Sequence, residues 1–173
     1  MQIRAAVPDE FGAVQAFYWQ LIDEMQTLPY HPHWQKGIYP ADDELQKALA
    51  SGELFLGTED GQIIAAMRVN HAVTEGYENG LWRTNAAPDE VTVIHMLGVS
   101  CRRQRRGTGR EMVRFVIDEA RRAGQKAIRL DVLHGNLPAY RLYDNLGFAP
   151  AGDVTLYYKD TGLTDFTLYE YKL

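Results

Sequence analysis

The densest run of chemistry-bearing residues lies between Val91 and Arg110, V-T-V-I-H-M-L-G-V-S-C-R-R-Q-R-R-G-T-G-R. A β-branched apolar stretch ends at Val99. Arg102, Arg103, Arg105, Arg106 and Arg110 then fall within nine residues, with Gly107 and Gly109 among them. A strand that turns through glycines into a helix aims a row of backbone N–H groups at one point, at the positive end of the helix dipole. The segment therefore reads as an anion site, specifically one for a pyrophosphate. Glycine serves such a turn by permitting positive φ and by leaving the N–H groups of residues 105 to 110 unshielded. Removing the five arginines from the net charge of −5 leaves −10 (−5 − 5) for the rest of the chain. Basic charge gathered at one turn suits a compact polyanion, whereas a nucleic-acid binder spreads it over a face. Without an anion, arginines at a helix N-terminus oppose the macrodipole.

Candidates for proton transfer are sparser. Alternation along the strand places Val93, His95, Leu97 and Val99 on one face. The reference pKa of His95, about 6.5, suits proton removal at neutral pH, while the competing reading is a hydrogen-bonded core histidine. Glu90, Asp131 or a water are further candidates for a base. Tyr143 shares a helix side with Ala139 and Leu146 and is either core or a general acid; its reference pKa of about 10 keeps it protonated at neutral pH. Asn136 is first of all the N-cap of that helix. His31, His33, Trp34 and Tyr39 form a polar-aromatic cluster that is either a substrate lid or packing.

These residues need a scaffold, and the hydrophobic pattern supplies one. Residues 3–7 read as a strand, and Pro8-Asp9-Glu10 opens a helix with Phe11, Val14, Phe17, Tyr18, Leu21, Ile22 and Met25 at helical spacing. Three prolines keep residues 28–40 from forming one regular helix. A second helix is expected over 41–51, a hairpin over 54–58 and 62–69, and a long connection over 74–90. The strand 91–99 follows, then a helix over 109–123 closed by Gly124, a strand over 127–133, a helix from Asn136 to Gly147, and a terminal strand pair over 153–158 and 166–171. The order βααββ–β–αβαββ implies an α/β fold with a mixed sheet and helices on both faces, as a single domain over residues 1–173. No apolar run approaches the roughly 20 residues of a membrane span, and the N-terminus lacks a signal peptide's apolar stretch. A single cysteine excludes an intrachain disulfide and fits a reducing compartment, so a cytoplasmic location is expected.

The segment from Val91 to Phe148 resembles the Gcn5-related N-acetyltransferase superfamily, whose acetyl-CoA loop reads Gln/Arg-x-x-Gly-x-Gly/Ala. Gln104, Gly107 and Gly109 match it, Leu97-Gly98-Val99 precede it at the family's spacing, Asn136-x-x-Ala139 opens a later helix, and Leu142-Tyr143 precedes Gly147-Phe148. Cys101 stands where the family usually carries proline. The resemblance implies the acyl-CoA N-acyltransferase fold, with a twisted, mostly antiparallel sheet and a splayed pair of central parallel strands. It further implies acetyl-CoA held by the backbones of Leu97, Gly98 and Val99 and by Gln104, Arg105, Arg106, Gly107, Thr108, Gly109 and Arg110, with Asn136 in contact. An amide near Leu97 would face the thioester oxygen, and Tyr143 would protonate the departing thiolate. The family's better-known base, a glutamate on this strand, is absent between Val91 and Val99, which leaves His95, Glu90, Asp131 or water. The implied activity is acetyl transfer to a primary amine of a small molecule or peptide by direct attack in a ternary complex. No metal, nucleic acid or membrane is expected to take part. A non-catalytic acyl-CoA-binding or regulatory module is the alternative. A nucleotide-binding domain is disfavoured, because the Walker spacing is missing and Met112 replaces the third glycine of the dinucleotide fingerprint. The acidic remainder of the chain favours a cationic acceptor such as a polyamine, aminoglycoside, amino acid or peptide terminus. A homodimer through the C-terminal strands is left open.

Overall fold

The computed structural model describes residues 1–30, 32–104 and 106–173. Its elements run β1 (Gln2–Ala5), α1 (Phe11–Met25), α2 (Asp42–Ala50), β2 (Leu54–Glu59), β3 (Gln62–Asn70), β4 (Val91–Val99), α3 (Thr108–Arg122), β5 (Ala127–Leu133), α4 (Leu137–Asp144), β6 (Ala149–Tyr158) and β7 (Gly162–Lys172). The order is the one expected. The terminal strands are longer than the alternation suggested, because a bulge between Pro150 and Asp153 interrupts the period of β6.

Seven strands form one mixed sheet in the order β1-β2-β3-β4-β5-β7-β6, antiparallel except for the central pair β4 and β5. Helices cover both faces. Val14, Tyr18, Leu21 and Ile22 of α1, with Leu45 and Leu49 of α2, bury Leu54, Leu56, Ala66 and Met96 on one side. Met112, Val113, Val116 and Ile117 of α3, with Tyr143 of α4, bury Ala65, Met67, Ile94, Ile128, Leu130 and Val132 on the other. Each valine, leucine, isoleucine or methionine among them contributes about 1.5–3 kcal/mol on burial. Tyr77, Val91, Val93, Leu133, Phe166 and Leu168 make a third cluster.

The parallel pair is short. Val91 pairs with Ala127, Thr92 with Ile128 and Val93 with Arg129, and the two strands then part. Each keeps its outer partner: β4 stays on β3 to Val99↔Ala65, and β5 stays on β7 to Leu133↔Phe166. Near the parting point β4 carries an extra residue, since the register steps from Ala66↔Gly98 to Arg68↔His95 and Met96 adopts φ 53°. The bulge corrects the expected alternation. Val93 belongs to the third cluster, whereas Leu97 and Val99 pack towards α3, because one inserted residue moves every later side chain to the opposite face.

The connection over 74–90 is bound to the sheet by a buried carboxylate. Glu170 of β7 accepts from the backbone N–H groups of Arg83 (3.0 Å) and Thr84 (3.1 Å) and pairs with Arg129 of β5, side chains that are only 2% and 11% exposed. The Arg129 guanidinium also lies 4.2 Å from the centroid of the Trp82 ring and donates to the carbonyl of Thr84 at 2.9 Å. Breaking a buried pair leaves one charge uncompensated, so Arg129→Met should cost about 3–5 kcal/mol in chemical denaturation. The double variant Arg129→Met/Glu170→Met should recover part of that loss; a single variant as stable as the parent would refute the anchoring role.

Candidate active site

Parting leaves the inner edge of β4 beyond Val93 without a strand neighbour, and peptide groups there need partners from elsewhere. Tyr18 of α1, buried beneath the sheet, donates its hydroxyl to the carbonyl of Met96 at 2.9 Å. In a trans peptide the C=O and the following N–H point in opposite directions. Fixing the Met96 carbonyl towards α1 therefore turns the Leu97 N–H away from α1. α1 comes this close because residue 98 is glycine: a Cβ there would stand 2.6 Å from the Leu21 side chain. The Gln104 side chain reaches back towards the Val99 carbonyl at 3.5 Å.

The turn after β4 delivers the first turn of α3 to the same mouth. Gly107 is the N-cap at φ 89°, a conformation that L side chains rarely adopt, and it offers no side-chain cap. Among the described residues, no side chain caps the first N–H groups of α3, at Thr108, Gly109 and Arg110, which suits an anion there. Gly109 differs: its backbone is helical, and a Cβ there would make ordinary van der Waals contact with Leu142 of α4 at 3.4 Å and Val99 at 3.7 Å. Arg103 is committed to an ion pair with Glu59. Arg102, Arg106 and Arg110 are exposed and form no ion pair among the described residues. Arg105 lies outside the described residues. Asn136 caps α4, accepting from the Ala139 N–H at 3.3 Å.

His95 is tightly engaged. Its Nε2 lies 3.0 Å from Asn70 Oδ1 and 3.1 Å from the Ala72 carbonyl. Both neighbours are oxygen acceptors, so Nε2 carries the hydrogen and donates, leaving Nδ1 as the lone-pair nitrogen. Burial, and then the charge of Arg68, lower its pKa to about 4. Asp131 lies on the same sheet face, two residues past the last paired residue of β5 as His95 is two past that of β4. The carboxylate accepts from the hydroxyls of Tyr77 and Tyr158, the latter at 3.0 Å, and burial pushes its pKa up against the pull of both bonds. Tyr143 of α4 is buried against the sheet, its ring centroid 5.3 Å from that of Phe148 and 6.2 Å from that of Tyr169. Its hydroxyl makes no hydrogen bond among the described residues; burial and then the Asp131 charge raise its pKa, so it stays a proton donor. Glu90 lies at the opposite end of β4, paired with Lys126 at 2.8 Å.

Trp34 and Tyr39 roof this region through edge-on ring contacts, Trp34 with Tyr18 and Tyr39 with Tyr158. His33 lies in the same loop, and His31 falls outside the described residues. Sequence reasoning missed Tyr18, Tyr77 and Tyr158 as site residues. Tyr18 read as one more member of an apolar helix stripe, and Tyr77 lies in a segment without period, so neither carried a local signal. The His95 shift has a consequence for stability. The unfolded side chain titrates near 6.5 and the folded one near 4, so acidification through that window protonates the unfolded chain first. Stability should therefore fall by on the order of 3 kcal/mol between those limits and be independent of His95 outside them. Denaturation at a series of pH values should show this slope in the parent and not in His95→Gln; equal slopes would contradict the assignment.

Comparison with known proteins agrees with this geometry. Residues 19–148 match the model of the acetyltransferase (GNAT) family. A mycothiol acetyltransferase from Thermomonospora curvata is 32% identical over 95 residues, which are 55% of this chain and 27% of that protein's length. The chain thus spans well under half of that relative. Among solved structures, a GNAT-family acetyltransferase from Streptococcus agalactiae superposes with a TM-score of 0.82 over 99% of this chain and 95% of its own, at 19% identity. A protein from Salmonella typhimurium, assigned as an acetyltransferase and solved with its cofactor acetyl-CoA, gives 0.68 over 100% and 94%, at 21% identity. These two likenesses concern the fold. The family match runs across the parted strands, the glycine turn and α4, and the chain belongs to the acetyltransferase (GNAT) family.

Proposed function

We propose that the protein is an N-acetyltransferase that passes the acetyl group of acetyl-CoA to a primary amine by direct attack. The observation that carries this reading is the parted strand edge, with the Met96 peptide oriented by Tyr18, beside an uncapped helix N-terminus. These residues fit the cosubstrate. Free N–H groups at Thr108, Gly109 and Arg110 and the exposed Arg106 and Arg110 suit the pyrophosphate, and the unpaired edge of β4 from Leu97 to Val99 suits an extended pantetheine arm. Acetyl-CoA supplies the acyl group as an activated thioester.

The other contributions come from the chain. The Leu97 N–H donates to the acyl oxygen, an interaction that strengthens as charge develops there. As the N–C bond forms and the C–S bond breaks, the Tyr143 hydroxyl gives its proton to the departing sulfur. The nitrogen sheds two protons relative to the free ammonium; both leave through Asp131 to solvent, and the tyrosinate left on Tyr143 takes one back from solvent, so that one proton is released per turnover. Asp131 suits the base role better than His95, whose lowered pKa makes it a poor proton acceptor and whose Nε2–H is already committed. A raised carboxylate pKa works in the right direction, since a stronger base removes the proton more readily. Cys101 lies in the turn between Val99 and Gly107, away from the parted edge, so no acyl-cysteine is invoked. The alternative of a non-catalytic acyl-CoA-binding module requires neither Asp131 nor Tyr143, so the kinetics of variants at these two residues separate the two readings.

Two measurements test these roles. The double variant Arg106→Glu/Arg110→Glu should weaken CoA binding in calorimetry by about tenfold or more at low salt, and less at high salt, with an unchanged melting temperature. Unaltered affinity would remove the turn from the site. In steady-state kinetics, Tyr143→Phe should lower kcat by about tenfold to a hundredfold and Asp131→Asn by about a hundredfold or more, within the usual range for proton transfer, while CoA affinity holds. His95→Gln should stay within about threefold of the parent. A fully active Tyr143→Phe would make Tyr143 a packing residue, and a larger loss in His95→Gln than in Asp131→Asn would return the base role to His95.

A further inference from the structure

Asp131 is placed unusually for a carboxylate on a central strand. It is largely enclosed, and no cation pairs with it among the described residues: Arg129 belongs to Glu170 and Arg68 to Glu53. Taking a carboxylate out of water without a partner is unfavourable. Two hydroxyls offset part of that penalty, and both act on one atom. Tyr77 and Tyr158 each donate to Oδ1, and Oδ2 accepts no side-chain hydrogen bond among the described residues. Tyr158 is itself held by the Thr74 hydroxyl at 3.1 Å, so the pair is fixed from the far side. The surroundings are aromatic. The Tyr39 ring meets Tyr158 edge-on at 5.4 Å between centroids, and Phe166 backs Tyr158 at 5.2 Å.

We propose that Asp131 Oδ2, with the carboxylate held by the Tyr77 hydroxyl, and the rings of Tyr39 and Tyr158 form the binding site for the acceptor's ammonium group, and that the acceptor is a monoamine, cationic at neutral pH, with an apolar or aromatic body and no carboxylate beside the nitrogen. The inference rests on the acetyltransferase reading and narrows its acceptor. A free carboxylate oxygen supplies the charge-assisted hydrogen bond that an ammonium needs. Ring faces and edges favour a weakly hydrated cation and an apolar body. A carboxylate on the carbon next to nitrogen would lie beside Asp131, where like charges repel, and this sets amino acids aside. A second ammonium on a short chain would have to lose its water against the rings.

Binding can be read without catalysis by using CoA in place of acetyl-CoA. The full-length protein, saturated with CoA, is titrated by calorimetry with 2-phenylethylamine, 2-phenylethanol, phenylalanine and 1,4-diaminobutane. The amine should bind at least about tenfold more tightly than the alcohol or the amino acid, the size of one charge-assisted contact. Asp131→Asn should remove most of that preference while leaving the alcohol's affinity unchanged. Tyr158→Phe, which keeps the ring and removes one hydroxyl from Oδ1, should reduce it less, and it decides the matter if Asp131→Asn fails to fold. Equal binding of amine and alcohol, or a preference that survives both variants, would overturn the site. Tighter binding of 1,4-diaminobutane than of 2-phenylethylamine would overturn the monoamine class. Failure of CoA to bind at all would instead remove the acetyltransferase reading and the acceptor role with it.

Discussion

Two parallel strands that pair for three residues and then separate set the terms for everything around them. β4 and β5 each hold a long antiparallel partner on the outer edge, so their parting forfeits only the inner ladder beyond Val93 and Arg129. The bulge at Met96 adds local twist to β4 and gives the separation a fixed place, and the Tyr18 hydroxyl holds the bulged peptide in one orientation. What remains is a strip of backbone that behaves as an edge inside the sheet. Edges of this kind are satisfied by an added strand, and an extended amide-bearing ligand is an added strand.

The same parting decides where the helices begin. α3 starts from the turn beyond the end of β4 and α4 from the turn beyond the end of β5, so both N-termini open at the carboxyl ends of the two parallel strands. This is the position at which open α/β sheets bind ligands, because the strands diverge there and the helix dipoles converge. Charge is then divided along the gap. The α3 end carries a helix N-terminus without a side-chain cap and, among the described residues, three arginines with no ion pair, while the interior end carries Asp131 under two tyrosine hydroxyls. On the proposed reading, an anionic cosubstrate would enter from the arginine end and a cationic acceptor would meet the carboxylate. Tyr143 packs on the α3 and α4 side of the sheet, and Asp131 projects from the opposite face of β5.

The strand, glycine turn and helix proposed to hold the cosubstrate were legible in the sequence, because their signals are local: a β-branched run, clustered arginines, and glycines at fixed offsets before an amphipathic helix. Element order followed from periodicity for the same reason. The acceptor half was not legible. Asp131 was one base candidate among several, and nothing in Ala127–Leu133 reveals that tyrosines 54 residues upstream and 27 downstream would cap it. The connection over 74–90 has no period to read; its course is set by the buried pair of Glu170 and Arg129, a contact between β7 and β5. The face assigned to His95 failed for a specific reason. Alternation counts residues and cannot see a bulge, and one extra residue at Met96 put His95 and Leu97 on different faces. Gly98 illustrates a related limit, since Leu21, which a Cβ there would meet at 2.6 Å, is remote in sequence.

The central claim is that the inner edge of β4 beyond Val93 is a binding edge. Amide hydrogen exchange, measured residue by residue with and without CoA, addresses it most directly. CoA should raise protection at residues 97–99 and at Thr108, Gly109 and Arg110, while Val91 to Val93, already in the parallel ladder, should change little. CoA binding with no gain in protection at residues 97–99, or with its gain confined to another part of the sheet, would contradict the account.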